Sequence, residues 1–299
     1  MKKIGLIILL LHLCIQSSYC QFWSKRDFAL TMNYDVMCGS GTTSFRLLAL
    51  VPATHPGVQE IDKLTYNIQP DSVYYHRNAC FAEFKINNPD SIFTISIGVK
   101  GRLYNNDYKS ANSHIILSDD ELKFYLAHTD MCEVDSPAIQ QSARKLETSE
   151  KKTIQKIHLI WDKVQSIPYY HNPQDSAKSA LEVIKEGKAN CVGKSHTFIA
   201  LCRACGIPAR LVCGLAPTTG HGWPEVYIDK KGWVMFEPTH SNERDYQRIK
   251  GTHIRLSEDI FTHNGLNTNH RYHYWWRWKG QSTPCKVSEN HKLKILRSE

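Results

Sequence analysis

Three residues between Cys191 and His240 have the types and order needed for acyl transfer at sulfur: Cys191, His221 and Glu237. A cysteine can serve as nucleophile and a histidine as the base that moves its proton. A carboxylate can fix the imidazole tautomer. Cys191 opens a segment in which Phe198, Leu201, Cys202 and Cys205 follow helical spacing, which predicts one buried stripe. Gly206 offers a left-handed stop and Pro208 blocks continuation. The cysteine therefore falls at a helix N-terminus. Unpaired N–H groups and the positive end of the dipole there favour a thiolate and can hold an oxyanion.

His221-Gly222-Trp223-Pro224-Glu225-Val226-Tyr227-Ile228 reads as a strand, Asp229-Lys230-Lys231-Gly232 as a turn and Gly232–Pro238 as the returning strand. Both His221 and Glu237 lie about eight residues from the turn centre, so a hairpin brings them to the same open end. A carboxylate beside the imidazole would stabilise the imidazolium of a Cys/His ion pair.

Four blocks carry a resemblance. Asn190-Cys191, Arg203–Gly214, His221–Tyr227 and Gly232–Thr239 resemble, in order, the signatures of the transglutaminase-like superfamily over roughly residues 135 to 245. The resemblance implies Cys191 as nucleophile, His221 as base and Glu237 as third member. It also implies a fold related to papain-like proteases, a cysteine helix on an antiparallel sheet. The chain departs from the family at two places. Glu237 stands where Asp is usual, so a carboxylate one methylene longer must reach the same imidazole. Lys188-Ala189-Asn190 and Val192-Gly193-Lys194 replace the Gly before and the Asp after the cysteine.

Neighbouring residues admit plainer roles. Cys202, Cys205 and Cys213 read as small buried hydrophobes, and the Cys202/Cys205 spacing, without a second such pair, does not make a zinc site. Glu225 is a rival carboxylate that strand alternation keeps on the histidine's own face, two pairs along. Arg210 reads as structural. Tyr170, Asn190 and Trp223 are candidates for the substrate cleft, although for Tyr170 simple packing is the stronger expectation.

The 299 residues, 41% of them hydrophobic, can bury one large core or two modest ones. Lys2 and Lys3 precede an apolar run from Ile4 to Leu13, and Ser17-Ser18-Tyr19-Cys20 has small residues where a peptidase would read before Gln21. Residues 1–20 therefore read as a secretory signal, too short to span a bilayer. The expected location is the periplasm or cell exterior, with lipid anchoring at Cys20 disfavoured by Tyr19. Without those residues the formal charge falls from +8 to +6, mild and dispersed, which does not argue for nucleic acid. Of the ten cysteines, Cys38, Cys80, Cys132 and Cys285 could form two bridges in an oxidising compartment, in any of three connectivities.

Residues 21–130 show alternating or β-branched runs between turn formers and no convincing helix, which predicts an antiparallel β-sandwich domain. It resembles, more weakly, the β-domain preceding the core of many bacterial transglutaminase-like proteins. Residues 131–299 are assigned to the catalytic core, with helices from Pro137, from about Ser149 to Val164, and from near Asp175 to Gly187. In His270–Lys279 aromatics alternate with cationic residues, as in a strand with one aromatic face buried. A stacking ledge for sugars or extended peptide is the alternative.

The expected class is α+β, a papain-like/transglutaminase-like core after a β-sandwich. The expected activity is an exported cysteine-dependent acyl transfer on peptide or protein amides, with hydrolysis favoured over amine crosslinking and cell-wall material a further candidate partner. No metal or cofactor is expected, and calcium in particular is not implied, since no acidic loop has coordinating spacing. The alternative is a catalytically lapsed module that binds cell-wall, peptide or carbohydrate ligands.

Overall fold

The computed structural model describes residues 25–111, 113, 115–146, 152–172, 177–217, 219–239, 252–259, 262–263, 266–267, 273–280 and 283–296. The segment read as a secretory signal lies outside them. In β1 (Lys25–Met37) Phe28, Leu30, Met32, Tyr34 and Val36 are buried and the residues between them are not, the signature of a strand with one face on a core. β2 (Thr42–Val51), β3 (Gln59–Tyr66), β4 (Ser72–His76), β5 (Ala79–Asn87) and β6 (Ile92–Tyr104) follow.

Among the described residues, five helices come next. α1 (Asp119–Leu126) falls where no helix was expected. Ser118 and Glu121 form a capping box, with the Ser118 hydroxyl accepting from Glu121 N–H and the Glu121 carboxylate accepting from Ser118 N–H at 2.8 Å. None of its residues is buried, so it carried no apolar stripe to read. α2 (Pro137–Leu146) starts at the expected proline and buries Ile139 and Ala143. α3 (Thr153–Gln165) buries Ile157, Ile160, Trp161 and Val164; its expected beginning at Ser149 lies outside the described residues. α4 (Ala180–Glu186) starts where Ser179 and Glu182 form a second capping box, and it ends at Gly187 with φ 67°; its expected beginning near Asp175 lies outside the described residues.

α5 (Cys191–Ala204) differs from its expected single stripe. Every residue from Cys191 to Arg203 is buried, because α2, α3, α4 and a sheet enclose the helix. Its polar side chains are accordingly satisfied. Ser195 Oγ donates to the carbonyls of Cys191 (2.8 Å) and Gly222 (3.1 Å), Thr197 Oγ1 to Gly193 (2.9 Å), and Arg203 to Ala209 and Ala127.

The enclosing sheet comprises β7 (Ala209–Leu215), β8 (Gly220–Ile228), β9 (Gly232–Met235) and β10 (Ile254–Glu258), antiparallel in the order β10-β7-β8-β9. Gly222 lets α5 approach closely, since a Cβ there would stand 2.7 Å from Val192 Cγ2. A short hairpin, β11 (Thr262–His263) with β12 (Leu266–Asn267), follows.

The chain then returns to where it started. β13 (Tyr274–Gly280) pairs with β2 and β14 (Lys286–Ile295) with β1, completing two four-stranded sheets, β14-β1-β6-β3 and β13-β2-β5-β4. Rings meet between them, Tyr34 with Tyr274 at 5.1 Å and Phe45 with Phe93 at 5.4 Å. Tyr274, Trp276 and Trp278 lie opposite the buried Ala49, Leu47 and Phe45, so the aromatic alternation marks the inward face of a sandwich strand. The boundary drawn at 131–299 put these two strands with the core, whereas their hydrogen bonds belong to the sandwich. The core is therefore an insertion between β6 and β13, docked on the sandwich through Gln59. That buried side chain exchanges hydrogen bonds with the backbone of Arg255, both at 2.9 Å. The chain is α+β.

Candidate active site

Asn190 fixes the start of α5. Its side chain accepts from Gly193 N–H at 3.0 Å and its carbonyl from Lys194 N–H at 3.0 Å. That leaves the N–H groups of Cys191 and Val192, in the first turn, without intrahelical partners. Cys191 follows the cap directly and is 8% exposed. Asn190, expected in the cleft, is therefore the cap of the helix that Cys191 opens.

β7 and β8 place the imidazole. His221 pairs with Gly214, and Ser195 bonds the carbonyl of Gly222 next to it. His221 Nε2 and Glu237 Oε2 are 2.5 Å apart, and the thiol of Cys191 makes the other side-chain hydrogen bond to the ring. With Nε2 donating to the carboxylate, Nδ1 is the nitrogen left for sulfur. The three groups thus converge, with His221 and Glu237 3% and 1% exposed.

Burial opposes charge on this imidazole, but Glu237 and Cys191 outweigh it and hold the imidazolium well above the usual histidine range. Burial likewise pushes the Glu237 carboxyl up, and His221 overrides it, holding the carboxylate well below its ordinary range. The extra methylene of Glu237 is accommodated by its anchoring. Thr239 N–H donates to Oε1 at 2.8 Å, Trp161 Nε1 donates to the Glu237 carbonyl at 3.0 Å, and Lys194 Nζ donates to the carbonyl of Pro238 at 3.4 Å and of Gln165 at 3.1 Å. Lys194, one of the departures from the family pattern, thereby holds the segment that carries the other.

His253 was missed in the sequence. Its Nε2 lies 3.8 Å from Glu237 Oε2, and its ring sits 5.2 Å from those of both His221 and Trp223. It precedes β10 with no motif of its own, so only the register of β10 on β7 brings it here. His221, Glu237 and His253 offer ligand atoms within 4.8 Å of one another. The spacing could admit a cation, but the hydrogen bond already joining His221 to Glu237 would have to open for it.

Trp223, buried on the same face of β8 as His221, stacks on it at 6.0 Å. Its indole N–H has no partner among the described residues. Tyr170 lies beside the loop entering the cysteine: its N–H donates to Ala189 at 2.9 Å, and Lys188 Nζ is 4.1 Å from its ring centroid.

Glu225, the rival carboxylate, is committed elsewhere. Arg210 Nη2 reaches it at 2.8 Å, Arg255 bonds its other oxygen, and both arginines also pair with Glu258 at 2.8 Å. Burial raises its pKa, but the two guanidiniums prevail and the carboxyl is held below its ordinary range. Glu225→Ala leaves the two buried guanidiniums to share Glu258 in place of two carboxylates, and should lower stability by about 3 kcal/mol. Denaturant midpoints will measure the loss.

Residues 140–238 match the model of the transglutaminase-like superfamily. Among solved structures, a candidate cysteine protease from Cytophaga hutchinsonii is 19% identical, with 92% of each chain covered and a TM-score of 0.64, so the likeness of fold spans sandwich and core alike. More distant likenesses are the periplasmic domain of TgpA from Pseudomonas aeruginosa, 11% identical over 77% of this chain and 95% of that one with a TM-score of 0.39, and LapG from Legionella pneumophila, 12% identical over 52% and 92% with a TM-score of 0.33. No curated protein matches the chain. Over residues 140–238, then, the chain is similar to the transglutaminase-like superfamily.

Proposed function

We propose that this chain is an exported, cysteine-dependent acyl-transfer enzyme acting on amide bonds of peptides or proteins. The observation that supports the reading is a buried imidazole between a helix-terminal thiol and a carboxylate whose segment is held by α3, by α5 and by its own Thr239 N–H. The Cys191 thiolate attacks the carboxamide carbon, and the oxyanion forms against the N–H groups of the first turn of α5. As the C–N bond breaks, His221 passes its proton to the leaving amine, and a thioester remains on sulfur. Water deprotonated by His221 then releases the acid, whereas an amine in its place gives a new amide. Hydrolysis is the favoured branch, on the resemblance of the leader-bearing chain to non-crosslinking members of the family. Peptides of cell-wall material fall within the same substrate class.

The test is to incubate the protein and its Cys191→Ala variant with peptide libraries, with and without amine donors, and to weigh the products. Cleavage or deamidation by the parent alone is the expected result. Binding without any change in substrate mass, by parent and variant equally, would replace catalysis with the lapsed-module reading. Export is tested separately by the N-terminal mass of secreted protein, which should begin at Gln21.

A further inference from the structure

Four widely spaced cysteines, Cys38, Cys80, Cys132 and Cys285, admitted three pairings from sequence, and the strand register distinguishes among them. β1 and β14 run antiparallel with Val36 opposite Val287 and Met37 opposite Lys286. The next step of that ladder sets Cys38 opposite Cys285. Their sulfurs lie 2.8 Å apart, and both side chains are buried. Cys80 belongs instead to β5 in the sandwich interior, and Cys132 packs in the helical core with its thiol donating to the carbonyl of His196 at 3.6 Å. Those two thiols sit in different hydrophobic clusters, so neither forms a second bridge with the other.

We propose that Cys38 and Cys285 form a disulfide that locks the returning C-terminal strands onto the N-terminal sandwich. The site is a crossover on both sides. Cys38 lies in the connection by which the chain passes from the sheet of β1 to that of β2, and Cys285 in the connection from β13 to β14, which passes between the same two sheets in reverse. Its surroundings are fixed, since Cys38 N–H donates to Ser91 at 2.8 Å and the carbonyl of Cys285 accepts from Trp276 Nε1 at 2.8 Å. One bond there joins both ends of the sandwich around the whole inserted core.

The reaction joins two thiols with loss of two protons and two electrons. The electrons pass to a disulfide oxidant, a thiol oxidoreductase or glutathione disulfide, which is reduced to two thiols. Burial and the neighbouring Cys285 push the Cys38 thiol up to about 12, so exchange is slow in the folded protein and the bond forms as the sandwich closes.

The proposal concerns the sandwich and is independent of acyl transfer. The test refolds the full chain with glutathione disulfide, then denatures and alkylates it without reductant. The expected result is two fewer alkylated thiols than in the reduced protein, and a linked peptide pair containing Cys38 and Cys285. Reduction should lower Tm in the parent and leave Tm unchanged in a Cys38→Ser/Cys285→Ser double variant, while the double variant still labels at Cys191. Full alkylation of every thiol after oxidation, or linkage of a different pair, overturns the proposal.

Discussion

Cys191→Ala is expected to reduce turnover by on the order of 10⁶-fold, the scale on which loss of a nucleophile acts when its partners can no longer work as a unit. The variant should fold, because alanine is a good first-turn helix residue and a small side chain already occupies the position. Far-UV circular dichroism and the denaturation midpoint should therefore stay near those of the parent. Thiol labelling gives a second readout that needs no substrate. Burial raises the thiols of Cys80, Cys132 and Cys202, so they resist alkylation in the folded protein. Iodoacetamide at pH 6 should modify Cys191 ahead of them, a preference set by the imidazolium of His221 beside it. Labelling of other positions first, with Cys191 untouched, would mean that the sulfur is packed away as an inert hydrophobe.

How much of this was legible in the sequence depended on the range of the interactions. The cysteine at a helix start could be read because cap, nucleophile and stop signals are local. The convergence of His221 and Glu237 could be read because a hairpin makes distant positions local through a single turn. α1 escaped notice because its helix rests on a cap rather than on an apolar face, although the Ser118/Glu121 spacing was its available signal. β13 and β14 were recognised as strand-like or passed over, and their partners, more than two hundred residues away, were invisible. Pairing at that separation is decided by which face remains unburied once the rest has folded, and no local pattern encodes it. His253 was missed for the same reason.

The total burial of α5 shows a related limit. Helical spacing located the stripe formed by Phe198, Leu201 and Cys202, but Lys194, Ser195 and His196 look solvent-facing by composition. They are interior because each finds a carbonyl: Lys194 at Pro238 and Gln165, Ser195 at Gly222, and His196 Nδ1 at Lys178 at 2.8 Å. Two of these contacts hold Gly222 in β8 and Pro238 just past the end of β9, the neighbours of His221 and Glu237. The polar residues of the cysteine helix thus hold the segments that carry His221 and Glu237, which is why departures from the family pattern at Lys194 and Glu237 can coexist.

The pair His221–Glu237 should give the second large effect, in pH dependence. His221 has its pKa raised from 6.5 to about 10, so its contribution to stability is complete below 6.5 and is lost as pH rises towards 10. Glu237 has its pKa lowered from 4.5 to about 2, so its contribution is complete above 4.5 and is lost as pH falls towards 2. Both are in force together between those two ordinary values, where the denaturation midpoint should be highest as far as this pair is concerned. Turnover needs the imidazolium to protonate the leaving amine, so the parent should keep activity well into the alkaline range. Glu237→Gln removes the attraction that outweighs burial, and the alkaline limb should then move to below neutral pH. At pH 8 the loss should reach about 10²- to 10⁴-fold, the upper figure being that for replacing a triad carboxylate by its amide. Glu237→Asp withdraws the carboxylate by about 1.5 Å, one C–C bond. Because Trp161, Lys194 and Thr239 fix the backbone around it, the segment after β9 cannot follow, and the aspartate variant should fall between parent and glutamine. Equal pH profiles for all three would show that Glu237 sits beside the histidine without governing its charge.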